Sequence, residues 1–137
     1  MATLTLNDYN QNRYNLKLTK GLAKLLLSVG IAVVVEHYSD GATWYRLYSD
    51  GWCEQGGLTP CGNNKTTTIN LLKSYKDTTF NCFASFSKGS NLGDWGDTLG
   101  AGVSTVNSIV IFRGHHGSQT GTLGIHWLTM GQTDYAL

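Results

Sequence analysis

The tetrapeptide Tyr-Ser-Asp-Gly occurs at residues 38–41 and again at residues 48–51, and this repeat constrains the fold more than any other feature of the chain. Each Ser-Asp-Gly is a tight-turn signal: the Asp side chain nucleates the turn and Gly accepts positive φ. Gly41 and Gly51 are therefore expected in the left-handed region. The residues around the turns are aromatic, β-branched or cysteine, which predicts a meander of three short strands over 31–38, 43–48 and 51–55. Strand parity places Trp44, Arg46 and Tyr48 on one face, with Tyr45 and Leu47 on the other.

Further strand patterns recur at a spacing of about ten residues, as in a sandwich or barrel. They cover 66–72, 79–86, 106–113 and 122–130, with a turn at 75–77. Phe80, Cys82, Ala84 and Phe86 alternate to one side, as do Leu123, Ile125 and Trp127. The Gly-rich stretches 87–102 and 114–121 read as loops, and long ordered loops are often functional. Leu22, Leu25, Leu26 and Val29 share a helical face, which favours a short helix ending at Gly30, with an extended run as the competitor. Residues 1–20 alternate at Leu4, Leu6, Leu16 and Leu18 but hold too little apolar mass to fold alone; they either pack on the domain or end a longer stalk. The expected architecture is an antiparallel all-β sandwich over 31–137, preceded by an N-terminal segment over 1–30 with a short helix or extended piece.

Charged residues make up 14% of the 137, against about 25% in ordinary soluble domains. The net charge is +1, so no basic excess marks a nucleic-acid partner. The surface must consist of Ser, Thr, Asn, Gln and Gly, which suits wet hydrogen-bonding contacts or burial in an oligomer. The three cysteines, Cys53, Cys61 and Cys82, are odd in number and form no complete disulfide framework. They read as reduced thiols, with Cys53 and Cys82 as small core residues, although Cys53 and Cys61 are close enough in sequence to meet across a short loop. Residues 22–35 are apolar but shorter than the roughly 20 residues of a membrane helix, so no membrane insertion is expected, and no signal peptide is visible.

The run WYRLYSDGWCEQGG, residues 44–57, resembles the C-terminal domains of phage and prophage tail-fibre proteins. The resemblance continues through TTTINLLKSYKDTTFNCFAS, residues 66–85, and through Trp127 with Gly131 four positions on. Its motif residues are Trp44, Tyr48, Asp50, Gly51, Trp52, Glu54, Gln55 and Trp127. It implies a homotrimeric β-sandwich at the tip of a fibre in the virion, assembled in the host cytoplasm. Such a domain binds a bacterial surface glycan or outer-membrane protein without catalysis. The two Gly-rich loops match no family pattern, and receptor specificity is expected in such variable loops.

Within the motif, Trp52 is expected to fill the core, and Glu54 with Gln55 to satisfy buried backbone or a subunit contact. A Trp-and-carboxylate binding face is the alternative. In the first loop, Asp94, Trp95 and Asp97 combine an aromatic platform with carboxylates suited to a sugar; Trp95 either serves that contact or folds back to pin the loop. His115 and His116 read as polar partners in the second loop. Together with His126 they lack the spacing of a metal site, so no metal and no cofactor is expected. No nucleophile motif occurs. Asp94 with Asp97 is the one close loop pair that resembles a glycosidase acid and base, which leaves a glycan depolymerase, or a purely structural trimerisation cap, as alternatives.

Overall fold

The computed structural model describes residues 2–7, 13–18, 20–87, 97–115 and 121–137. Two antiparallel sheets build the sandwich. The larger contains β3 (Val34–Ser39), β4 (Thr43–Tyr48), β5 (Trp52–Gly62), β7 (Asn81–Phe86) and β10 (Thr122–Gln132), in the spatial order β3-β4-β5-β10-β7. The smaller is β6-β9-β8, from Lys65–Asn70, Ser108–His115 and Asp97–Thr105. A separate hairpin pairs β1 (Ala2–Asn7) with β2 (Arg13–Leu18). The core is built of Leu47, Cys53, Cys61, Ile69, Tyr75, Phe80, Ile109, Ile111, Ile125 and Trp127. Apart from Tyr75 and Phe80, which lie on the segment between β6 and β7, these side chains come from alternate strand positions of both sheets, which is how two half-buried faces exclude water together.

The meander forms in the expected order, β3-β4-β5. Asp40 nucleates the first turn by accepting N–H groups from Ala42 (2.9 Å) and Thr43 (2.7 Å). Asp50 does the same for Trp52 at 3.0 Å. Gly41 and Gly51 have φ of +90° and +85°. Their surroundings differ. A Cβ on Gly41 meets nothing within 4 Å, whereas one on Gly51 would lie 3.0 Å from the Tyr135 carbonyl and 3.1 Å from Gln132 Oε1. Gly41→Val is expected to cost about 1 kcal/mol, the strain of a β-branched residue at positive φ. Gly51→Val is expected to cost more, about 2–3 kcal/mol, because contact adds to strain. Urea denaturation of both variants checks this; equal midpoints would remove the contact contribution.

Helix α1 (Lys20–Ser28) ends as expected at Gly30, which has φ +82°. Gly30 N–H donates to the Leu27 carbonyl and Ile31 N–H to the Leu26 carbonyl, both at 2.9 Å, which is the paired C-terminal capping motif. The apolar face of the helix is only partly covered among the described residues, with Leu26 and Leu27 half-buried. Ala23 is its one buried residue, while Leu25 and Val29 are 62% and 66% exposed.

Two expectations are corrected. Residues 97–102, read as loop, belong to strand β8. Their Gly-rich composition lacks β propensity, and pairing with the strongly apolar β9 holds them extended. The third meander strand is also longer than 51–55: β5 continues through Gly56, Gly57 and Pro60 because β10 pairs with it over its whole length. Cys53 and Cys61 therefore sit toward opposite ends of one strand, about 26 Å apart at roughly 3.3 Å per residue, and all three cysteines are free thiols. Burial pushes the Cys53 thiol up to about 12 and also raises Cys82, so both stay protonated at neutral pH.

Candidate functional site

The two Gly-rich loops leave from one pole of the sandwich. Their stems are fixed by strand register: Asp97 at the start of β8 faces His115 at the end of β9, and Thr122 at the start of β10 faces Gly62. The β5–β6 turn at Asn63–Asn64 lies at the same pole, with Asn64 at φ +48°. The opposite end of β5 carries the Gly51 turn. There α1 and the C-terminal residues share a cleft lined by Lys24, Leu27, Asp50, Tyr135 and Leu137. The molecule thus has a helix pole and a loop pole, separated by the eleven-residue β5.

Arg113 ties the loop stems together. Its side chain is buried on the inner face of the smaller sheet, two positions inward of His115 at the pole. Nε donates to Asp97 Oδ1 at 3.1 Å, Nη2 forms an ion pair with the same oxygen at 3.1 Å, and Nη1 donates to the Gly121 carbonyl at 2.8 Å. One guanidinium therefore holds the end of the first loop and the end of the second. Charge-assisted bonds of this kind are stronger and more directional than neutral ones. Asp97, a sequence-predicted contact residue, has Oδ1 committed to this clamp. Asp94, Trp95 and His116 lie outside the described residues, as does the His115 side chain. Among the described residues no three His, Cys, Asp or Glu side chains gather as a metal site.

The motif residues sort by strand parity. Gln55 points inward and is fully buried. Its Nε2 donates to the Lys73 carbonyl and its Oε1 accepts the Lys73 N–H, both at 2.7 Å. It thereby satisfies buried backbone of the 71–80 segment. Tyr75, on that segment, shares a 2.9 Å hydrogen bond with buried Thr129 and donates to the Cys53 carbonyl at 3.4 Å. Burial of Tyr75 pushes its hydroxyl up to about 12. The two glycines that follow Gln55 are seats for indoles. Gly56 is paired with Trp44 and Gly57 with Trp127, and a Cβ on either would lie 2.8 Å from the ring opposite. Trp127 is the core indole and donates to Thr59 at 3.1 Å.

Trp52 does not fill the core. It shares the outward face with Trp44, Arg46 and Tyr48, because Cys53 and Gln55 take the inward positions, and it stands half-buried opposite Gln132. Glu54, on the same face, accepts the Tyr48 hydroxyl at 3.2 Å rather than a backbone group. Beside it, Arg46 lies 5.6 Å from the Trp44 ring centre. A second cluster, at the rim of the inward face, joins Glu36, Lys73 and Tyr45. Hydrogen bonds from Lys73 (2.8 Å) and then Tyr45 hold the Glu36 carboxyl below the usual range. Arg113 is the residue that sequence reading missed. Its one signal is a cation at the end of the apolar run Ile109–Phe112, on the same parity as the buried Ile109 and Ile111, a position at which charge needs a partner.

No family model matches the sequence, and no curated protein matches it. Solved structures do. The chain superposes on the P. aeruginosa R2 pyocin fibre comprising C-terminal residues 323–691 with a TM-score of 0.60 at 17% identity, covering 90% of this chain and 32% of that one. An N-truncated R2-type pyocin tail fibre matches at 0.59 and 18% identity, over 80% of this chain and 42% of that one. An N-truncated R1-type pyocin tail fibre matches at 0.54 and 13% identity, over 80% of this chain and 94% of that one. The chain thus spans less than half of the two R2 structures and nearly the whole of the shorter R1 structure, and it shares the fold of the C-terminal part of pyocin tail fibres.

Proposed function

We propose that this chain is the distal domain of a tail fibre on a phage-type particle, that it is trimeric, and that it contacts a bacterial surface receptor without catalysis. The observation that carries this reading is the polarity of the molecule. Both loops that match no family pattern leave from one pole, with their stems clamped by Arg113, while α1 occupies the other. A domain held at its helix pole turns the loop stems outward. The fold shared with pyocin tail fibres supports the same reading. Trp95, His115 and His116 are the contact residues, and the low-charge surface makes each contact wet and weak, so three copies on one tip supply avidity.

The trimer has surface available for it. Leu22, Leu25, Val29 and Ile31 on and after α1 are 37%, 62%, 66% and 49% exposed, and Leu58 and Phe83 on the outer face of the larger sheet are 45% and 55% exposed. Covering a Leu or Val side chain contributes about 1.5–3 kcal/mol. Light scattering at micromolar concentration should give three times the chain mass; a monomer there removes the trimer. Receptor contact is tested by retention of labelled domain on bacterial cells. Trp95→Ala and the double variant His115→Ala, His116→Ala are each expected to lose most of the signal while remaining folded. Equal retention of all forms would move the contact surface off this pole.

A further inference from the structure

A cavity of about 410 Å³ opens beside the second Ser-Asp-Gly turn, at the end of β5 away from the loop pole. Trp52, Asp77, Asn81 and Gln132 line it, together with Lys76 and Thr133. Its volume lies within the range of small-ligand sites. The register explains how it arises. Trp52 on β5 faces Gln132 on β10, and Asn81 on β7 faces the neighbouring Met130, so three adjacent strands send side chains outward around one space. The 71–80 segment forms the rim. Lys76 N–H donates to the Gln132 carbonyl at 2.8 Å, and Asp77 anchors its own turn by accepting the Thr79 N–H at 2.8 Å.

The polar groups of this cavity are poised rather than spent. Among the described residues, the indole N–H of Trp52, the amides of Asn81 and Gln132 and the ammonium of Lys76 have no hydrogen-bond partner in the protein. Of these, Trp52 is half-buried, while Lys76, Asn81 and Gln132 are exposed and meet water; the buried polar side chains, by contrast, are paired within the protein, the Trp127 indole to Thr59 and Gln55 at both ends. Asp77 uses Oδ1 for its turn, which leaves Oδ2 as an acceptor. An indole beside a carboxylate and two amides is the chemistry that recognises a sugar ring. The ring's C–H face packs on the aromatic surface, and its neighbouring hydroxyls pair with planar groups that both donate and accept.

We propose that the Trp52 cavity is a saccharide-binding subsite, in which the indole carries the apolar face of a pyranose ring and Asp77, Asn81 and Gln132 take its hydroxyls. The proposal rests on the receptor-binding reading for its purpose but not for its geometry. It places a second carbohydrate contact on the flank of the domain, separate from the loop pole. Affinity for a single ring is millimolar, as for a small polar ligand that displaces water from a wet site.

The test uses the intact chain labelled with nitrogen-15. Its four tryptophans give separate indole N–H resonances, and Trp52→Phe assigns the one that matters. Glucose, galactose, rhamnose and N-acetylglucosamine are titrated in turn at millimolar concentrations. The expected result is a saturable shift of the Trp52 resonance with at least one of them, while those of Trp44 and Trp127 stay in place. Asn81→Ala and Gln132→Ala remove side chains that hold nothing in the protein, so these variants fold, and each is expected to weaken binding by about tenfold. A Trp52 resonance that no sugar moves, or variants that bind as the parent does, overturns the proposal. Cell retention of the same variants separates this failure from the other. If cells retain parent and variants equally and no sugar shifts Trp52, the subsite falls and the receptor reading stands. If sugar shifts Trp52 but no strain retains the domain, the receptor reading falls and the subsite stands.

Discussion

Replacing Arg113 with methionine should destabilise the domain by about 3 kcal/mol and reduce cell retention further than partial unfolding explains. The stability loss follows from burial. Arg113 is 3% exposed and its Asp97 partner is largely covered, so removing the cation leaves a carboxylate that has lost both water and its counter-charge. Breaking a buried pair from one side typically costs about 3–5 kcal/mol. The lower figure applies here because Asp97 stands at the strand end and keeps some access to water. The functional loss follows from the third bond, to the Gly121 carbonyl. Without it the two loop stems are no longer held to one another, and a contact surface built from both loops loses its preorganisation. Denaturation in urea and cell retention at a temperature where the variant is folded check the two parts. The double variant Arg113→Met, Asp97→Leu should recover much of the stability, since the unpaired charge is gone, but not the retention. A single variant that loses less than about 1 kcal/mol, the worth of a surface pair, would show that the clamp is not buried in solution.

The second large effect is expected at Gln55. Gln55→Ala strips the hydrogen-bond partner from both the N–H and the carbonyl of Lys73 and opens a hole in a fully buried position. Each orphaned backbone group costs about 1–3 kcal/mol, so a total of about 3 kcal/mol or more is expected. Gln55→Glu gives a sharper test, because only the protonated acid can both donate to the Lys73 carbonyl and accept its N–H. Burial raises the folded-state pKa of that carboxyl above its unfolded value of about 4.3. The folded state then binds more protons than the unfolded one, so stability is greatest below that value and falls as pH rises through and above it. Near pH 4 the Glu variant should approach the parent; at pH 7 it should resemble Gln55→Ala. A Glu variant whose denaturation midpoint, relative to the parent, is independent of pH would show that Gln55 is not held between these backbone groups.

Local signals in the sequence were sufficient for the meander, the αL glycines and the helix stop. A Ser-Asp-Gly turn is made by its own residues, through Asp40 and Asp50 accepting neighbouring N–H groups, so its conformation is written within a few positions. The capping bonds to Leu26 and Leu27 after α1 are equally local. Alternation along 79–86 and 122–130 also identified the buried faces, because period two carries over directly into a sheet with one face covered.

Other features depended on partners distant in sequence. Strand β8 is extended because β9 offers it a ladder, not because its glycines favour a strand. Pro60 is accommodated in β5 only because β4 stops flanking that strand at Gly57, leaving an edge position that tolerates a missing N–H. The core indole expected from the sequence was Trp52, because parity within one strand does not say which of its faces is covered. Trp127 takes that place because Gly57 lies opposite and leaves room for the ring, while Trp52 one strand away is turned outward to line a cavity. The meeting of Arg113 with Asp97 and Gly121 had no local signal, since a cation at the end of an apolar run states a need without naming the partner. Turn chemistry and periodicity act over a few residues and are legible in the chain; burial, pairing and the seating of a ring on a glycine are decided only when distant strands pack, because each is a property of two surfaces and not of one.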